Sequence, residues 1–486
     1  MLIARVNKAG GLKLYNLFGR FSFLVLLSVA FTFLNAESFS EFKKSQSDFI
    51  VKYLHEEDKL FNQYILSNWE EYSSVTATPF YTKAKPSKIP SARKLELKDK
   101  GPLILLASLN TSVNQEKIQK KANEKKEIEF DFFGENIGFN IPDGLLDAKF
   151  YPLSKKGISN FFNVAVSTEY EALIDEINKY SLAHNLNDWG KYLLIKKISY
   201  YIFSNQDEAR LLRWFIFNKL GYAVKAALSK KHIIVMYASK KTIYATPMYT
   251  LDKKNFYSIS EYAKATNQKL FTYKQKYSEA TKSIDLSLTS LPILGENLHT
   301  KHLVFKQNMK KYTIKYRYNK NMIDFMASYP QADYETYFNA QMDSQSYGDI
   351  VNGLRKYING KKSSTAINFV LHFVQNAFKY QVDNEQFGRE KVMFADETLY
   401  YDKSDCEDRA ILFAKLVKDM FKIGVVGVKY SNHMSTALYI PLKGDTVRVH
   451  SKKYVIADPT YINASIGQGM SQYKSKRPKE FIFLQK

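Results

Sequence analysis

A single cysteine, Cys406, stands in a chain of 486 residues. That scarcity excludes a disulfide framework, an intrachain disulfide and any cysteine-cluster zinc or iron–sulfur site. Glycine (20) and proline (12) are sparse. Arginine is scarcer still: 11 of the 71 basic residues are Arg and 60 are Lys. Nucleic-acid readers use the guanidinium fork on phosphates and guanine edges. No helix-turn-helix, zinc-finger or RNA-recognition signature stands beside the basic charge, so no nucleic-acid partner is expected. No acidic residue precedes Glu37. What the chain has in quantity is Lys, Tyr (35) and Phe (34), with 45% hydrophobic and 24% charged residues and a net charge of +23. This is globular composition, long enough for several domains with real cores.

Arg5, Lys8, Lys13 and Arg20 precede the apolar run Phe21–Leu34, which is followed by Asn35-Ala36-Glu37. A basic segment, a short apolar segment and a small residue at the boundary describe an export signal over 1–36. The run is shorter than the roughly 20 apolar residues of a bilayer span. An exported, periplasmic or cell-envelope protein is therefore expected, touching membrane only through this segment and carrying +19 once it is removed. Residues 37–75 place Phe39, Phe42, Phe49, Tyr53, Phe61, Ile65 and Trp69 at helical spacing, a helical arm that could bind a partner protein. Pro79, Pro86 and Pro90 mark 76–128 as an extended linker. Helical periodicity then runs through 173–183, 189–203 and 209–220, with β-rich runs at 233–238 and 242–245. Residues 302–318 alternate as strands or a hairpin inside a β-rich connecting region, 286–345. Helical blocks follow at 347–358 and 365–380.

The chemistry gathers after Tyr400. Ser404-Asp405-Cys406-Glu407 has the S-x-x-E form of a capping box before an apolar-periodic run to about Phe421. Cys406 would then lie in the first helical turn, where unpaired N–H groups and the positive dipole end favour a thiolate and offer a donor to an oxyanion. His433 opens a strand after Val425–Tyr430, and Asp458-Pro459-Thr460 ends the strand Lys453–Ala457. A thiol needs a base to become a nucleophile, and an imidazole needs an acceptor to fix its tautomer. Asp405 and Glu407 would raise the thiol pKa, so activation would have to come chiefly from His433.

The Asp-Cys-Glu-Asp-Arg helix start, His433 before a strand and Asp458-Pro459 after one resemble the transglutaminase-like superfamily of papain-like fold, over roughly 346–470. The resemblance implies that Cys406 is the nucleophile, His433 the general base and acid, and Asp458 the residue orienting His433. It also implies an oxyanion donor upstream, for which Gln375 and Tyr401 are the candidates. It implies no metal or organic cofactor, and no EF-hand-type loop is visible. The stretch Phe387–Tyr401 reads as a loop lining or covering the cleft, although Phe387 and Tyr400 could equally be core.

A shift of 201 residues brings Asn205 onto Cys406, Asp207 onto Asp408, Ala209 onto Ala410, His232 onto His433 and Tyr257 onto Asp458. Two accounts stay open: a degenerate second copy over 129–285, or two independent helix–strand units. The expected class is α+β, with a transglutaminase-like catalytic domain over 346–486, the degenerate copy upstream and the N-terminal arm. Two functions stay open with it. One is an exported cysteine protease or amidase, or an acyltransferase, acting through a thioester on a protein or peptide, cell-wall-associated substrates included. The other is a non-catalytic envelope scaffold.

Overall fold

A computed structural model describes residues 53, 56–77, 81, 83–93, 99–109, 111, 126–259 and 269–485. The expected export signal and residues 37–52, 54 and 55 of the N-terminal arm lie outside these residues. Contacts divide the chain between Leu60 and Phe61. The unit from Phe61 to the C-terminus is described here by itself. Helix and strand are both abundant in it, as an α+β chain requires.

Residues 61–66 are helical and bury Phe61 and Ile65. The helical reading fails beyond them. Trp69–Ser73 is a strand (β1) and Val75–Thr76 another (β2), at opposite edges of a seven-stranded sheet. A small hairpin, β3 (Ile128–Phe132) and β4 (Glu135–Phe139), leads into four helices: α1 (Lys155–Val166), α2 (Tyr170–Ala183), α3 (Asp188–Ile202) and α4 (Gln206–Lys219). Asn187 and Asn205 begin α3 and α4, each side-chain oxygen accepting from first-turn N–H groups. The sheet then builds from β5 (Val224–Ser229), β6 (His232–Ala238), β7 (Pro247–Leu251), β8 (Lys254–Tyr257) and β9 (Lys269–Tyr273). The run 242–245 forms no strand; Ile243 makes only an isolated bridge to Ala332.

The connecting region is a long hairpin, β10 (Leu298–Gln307) with β11 (Lys310–Asn319), followed by α5 (Lys320–Ala327) and α6 (Tyr334–Phe338). Then come α7 (Ser344–Ile358) and α8 (Ser363–Ala377). The stretch expected as a loop over the cleft starts at the end of α9 (Asp383–Phe387) and is irregular as far as α10 (Ala395–Tyr400), with Val392, Met393, Phe394 and Leu399 buried. Residues 391–399 are core because their apolar side chains pack inward, while Phe387 and Tyr400 at the ends are half-buried. The two-residue strands β12 (Lys379–Tyr380) and β13 (Lys403–Ser404) pair in parallel and bring the chain to α11 (Cys406–Phe421). This helix is buried on nearly every side, through Ile411, Leu412, Phe413, Leu416 and Val417, and packs against α8 and the second sheet. That sheet comprises β14 (Val425–Lys429), β15 (Met434–Leu438), β16 (Thr446–Val449), β17 (Lys452–Ala457) and β18 (Glu480–Phe483), with α12 (Ser471–Lys474) before the last strand.

The two sheets share one connectivity. After α4 the strand order is β9-β5-β6-β8-β7, and after α11 it is β18-β14-β15-β17-β16. Every neighbouring pair in both is antiparallel. The register agrees as well. Val224 pairs with Tyr237, and a shift of 201 turns that pair into Val425 with Leu438, which is also a pair. Further along the offset shrinks. Tyr237 pairs with Tyr257, but Leu438 pairs with Val455. Tyr257 thus matches Val455, not Asp458, whose counterpart Ser260 lies outside the described residues. A shorter connection in the second unit causes the slip, which a constant shift along the sequence cannot register.

Candidate active site

The start of α11 is capped one residue later than the sequence suggests. Asp405 is the N-cap, and the Asp408 side chain accepts from the Asp405 N–H at 3.1 Å. Ser404 belongs to β13, and its Oγ accepts from Arg409 Nε at 3.1 Å. Serine and aspartate are both capping residues, and here the aspartate one position on takes the cap. Cys406 therefore holds the first helical position, and no described hydrogen bond uses its backbone N–H. Buried Arg409 ties this turn to the end of α8 through the Phe378 carbonyl at 2.8 Å and the Gln375 carbonyl at 3.3 Å.

His433 directly precedes β15 and Asp458 directly follows β17, its antiparallel neighbour, so the sheet sets them side by side. His433 Nε2 lies 2.8 Å from Asp458 Oδ2. Asp458 Oδ1 accepts from the Thr460 N–H at 2.9 Å and the Tyr461 N–H at 3.3 Å, which fixes the carboxylate. The His433 ring stacks on Tyr473 at 4.9 Å between centroids, and Tyr473 stacks on Tyr430 at 4.8 Å. Cys406 Sγ accepts from the Met434 N–H at 3.4 Å, one residue from the histidine.

The sulfur does not bond to His433. Its described partners are Met434, Glu407 Oε2 at 3.1 Å, to which the thiol donates, and the Tyr81 hydroxyl at 3.8 Å. Cys406 is fully buried. Burial first, then the neighbouring Glu407 and Asp405 carboxylates, push the thiol pKa well above its ordinary value; Lys85 and the Met434 N–H only partly oppose them. Sequence anticipated the carboxylate effect and missed the burial.

The two oxyanion candidates are placed elsewhere. Gln375 Nε2 donates to the Asp458 and Ala464 carbonyls, each at 3.0 Å, and its Oε1 faces His372 Nδ1 at 2.9 Å. Both amide hydrogens are thereby taken, and Gln375 is a prop beneath the Asp458 loop. Tyr401 packs its ring on Phe387 and Tyr400, and no described contact joins it to Cys406.

The largest surprise comes from the proline-marked stretch read as a linker. Tyr81 and residues 83–93 lie across the start of α11. Lys85 Nζ reaches Glu407 Oε1 at 2.7 Å, Glu390 Oε2 at 2.8 Å, Asp383 Oδ2 at 2.9 Å and also Asp405 Oδ2. The Lys85 side chain is 2% exposed. Burial alone would favour its neutral form, but Glu407, Asp405 and Asp383 hold it firmly charged. Glu407 is in turn kept below the ordinary carboxylate range, burial opposing and Lys85 prevailing. Asp383, Glu390 and Glu407 could on spacing alone hold a metal ion, as could Asp383, Asp405 and Asp408; the cation among them is Lys85. The signal for such a cation was present in the run of acids around Cys406, but nothing in the sequence named a donor more than 300 residues away.

Comparisons with protein-family models, curated proteins and solved structures find no match to this chain.

Proposed function

We propose that the chain is an exported cysteine enzyme of transglutaminase-like type. Its catalytic domain is 346–486, and it acts on amide or peptide bonds through Cys406, His433 and Asp458. The observation that carries this reading is the 2.8 Å His433–Asp458 pair with the neighbouring Met434 N–H on the Cys406 sulfur at 3.4 Å. Asp458 engages Nε2, which leaves Nδ1 for the thiol proton. Sγ then attacks the carbonyl carbon, and the first-turn N–H of Cys406 is a donor for the oxyanion. His433 passes the proton to the departing amine, leaving a thioester. Water attacks the thioester and restores the thiol with a carboxylic acid as product. Hydrolysis is favoured over amine transfer because water needs no second binding site. The shared strand order and hairpin register support descent of 129–285 and 346–486 from one duplicated unit. Asn205 stands in the first copy where Cys406 stands in the second, and His232 is largely exposed, its Nδ1 on Asp207 at 3.0 Å.

The test is a peptide-library digest read by mass spectrometry, run before and after brief tryptic cleavage at the exposed Lys83, Lys88 and Arg93. New peptide termini are expected; addition of a supplied primary amine would instead mark transamidation. Cys406→Ala and His433→Ala should each abolish product, with Asp458→Asn lowering it by about a hundredfold or more. Product undiminished in Cys406→Ala rejects the assignment. One observation favours the second reading, a non-catalytic envelope scaffold: the thiol is buried and its proton is held tightly. Absence of product in every condition, with a folded protein, selects the scaffold.

A further inference from the structure

We propose that the proline-marked segment, Tyr81 with residues 83–93, is a built-in cover over the nucleophile that must move before Cys406 can react. The inference rests on reading Cys406 as the nucleophile and concerns how that site is regulated. Three observations carry it.

The first is contact at the reacting atom. The Tyr81 hydroxyl lies 3.8 Å from Sγ and donates to Glu407 Oε2 at 3.2 Å, the same oxygen that accepts from the thiol. Tyr81 is itself partly exposed, while Cys406 beside it is not exposed at all.

The second is anchorage on both sides of the site. The Lys83 N–H donates to the Ser431 carbonyl at 3.3 Å, two residues before His433. Tyr380 Oη donates to the Pro86 carbonyl at 2.7 Å. The Ala92 N–H donates to the Ile462 carbonyl at 2.8 Å, and Asn463 Nδ2 donates to Ser91 Oγ at 2.9 Å, both just beyond Asp458. The segment therefore spans from the histidine loop to the aspartate loop and crosses the cysteine between them.

The third is the nature of its hold. Apart from Lys85 and Ala92, the described residues of the segment are exposed or half-buried. Proline prevents Pro86 and Pro90 from donating to a sheet. The segment thus adds little to the apolar core and is held by a few hydrogen bonds and one buried ammonium among carboxylates. A segment so held opens at lower cost than the helices beneath it.

The experiment reads the thiol, not turnover, so it stands apart from the catalytic assignment. The rate of iodoacetamide alkylation at Cys406 is measured by intact mass in the full chain near neutral pH. Folding is checked by circular dichroism and cooperative melting. The native chain should label slowly. Tyr81→Ala should label at least about tenfold faster with the fold retained, while Tyr81→Phe, which keeps the ring, should stay within about twofold of native. Ala92→Pro deletes the donor to Ile462 at the far end of the segment and should also accelerate labelling, a second route should Tyr81→Ala fail to fold. Labelling no faster in a folded Tyr81→Ala or Ala92→Pro chain overturns the cover. So does equal acceleration by Tyr81→Phe, which would place control in the hydroxyl's bond to Glu407. Adding His433→Ala to Tyr81→Ala separates the two readings. Fast labelling that survives loss of the histidine keeps the cover and removes the base; fast labelling that collapses supports both.

Discussion

Gln375 illustrates how a side chain can matter to a site without touching it. Its amide bridges two buried carbonyls, those of Asp458 and Ala464, and so holds the loop that presents the Asp458 carboxylate to His433. Gln375→Leu keeps the approximate volume but leaves both carbonyls without a donor. An orphaned buried polar group costs about 1–3 kcal/mol, so the variant should lose at least that much in urea unfolding. Stability within about 0.5 kcal/mol of native would show that water or a shifted backbone replaces the amide and that the prop is dispensable. Position and residue type could nominate Gln375 only as a polar group on a helix upstream of Cys406. Which way an amide points is a tertiary fact. For the same reason the residues Cys406, His433 and Asp458 could be named from sequence, whereas the distance of the sulfur from the imidazole could not.

At the scale of elements, local chemistry was the most readable part of the chain. Helices α3, α4 and α11, the long hairpin β10–β11 and the strands around His433 follow from apolar periodicity with capping or turn residues at their ends. Errors arose where two local signals competed or where the partner was distant. Asp405 displaced Ser404 as the cap of α11 because both are capping residues one position apart. Trp69 joined a strand because its pairing partner, Tyr273, lies some two hundred residues on. Tyr81 and residues 83–93, within the expected linker 76–128, read as a spacer because proline and lysine look the same whether solvated or docked. The repeated helix–hairpin unit lies between these extremes, its register visible in the sequence as a shift of 201 and its slip visible only in the sheet pairing. In the first unit the cap is Asn205, whose Oδ1 accepts from Asp207 N at 2.8 Å and Glu208 N at 3.3 Å. Asn205→Ala should destabilise the chain by about 1 kcal/mol, measured as a shift of the urea midpoint at constant slope. A neutral outcome would mean that α4 is held by packing alone.

The molecule as a whole carries an unusual concentration of buried acid, and it should shape stability against pH. Burial first, then nearby carboxylates, raise Asp383 to about 9 and Asp408 to about 7, and Asp405 also rises well above its ordinary range. A carboxyl whose folded pKa exceeds its unfolded one favours the fold while protonated. That contribution is complete below the ordinary 3.8 and is given up as pH climbs through the folded values. Lys85 stays charged throughout this range, and Glu407, shifted the other way, loses its contribution only on acidification. Lys225, pushed down to about 7 by burial, adds stability as pH rises and so masks part of the trend. The informative quantity is therefore the difference between native chain and Asp383→Asn, since the asparagine Oδ1 can still accept from Lys85 and from the Lys391 N–H. Native stability relative to this variant, from urea unfolding, should fall steadily between about pH 5 and about pH 9. A flat or rising difference would show that Asp383 is ionised throughout, held charged by Lys85 alongside Glu407. The buried Lys85 ammonium would then grip the carboxylates around it as firmly in alkali as in acid.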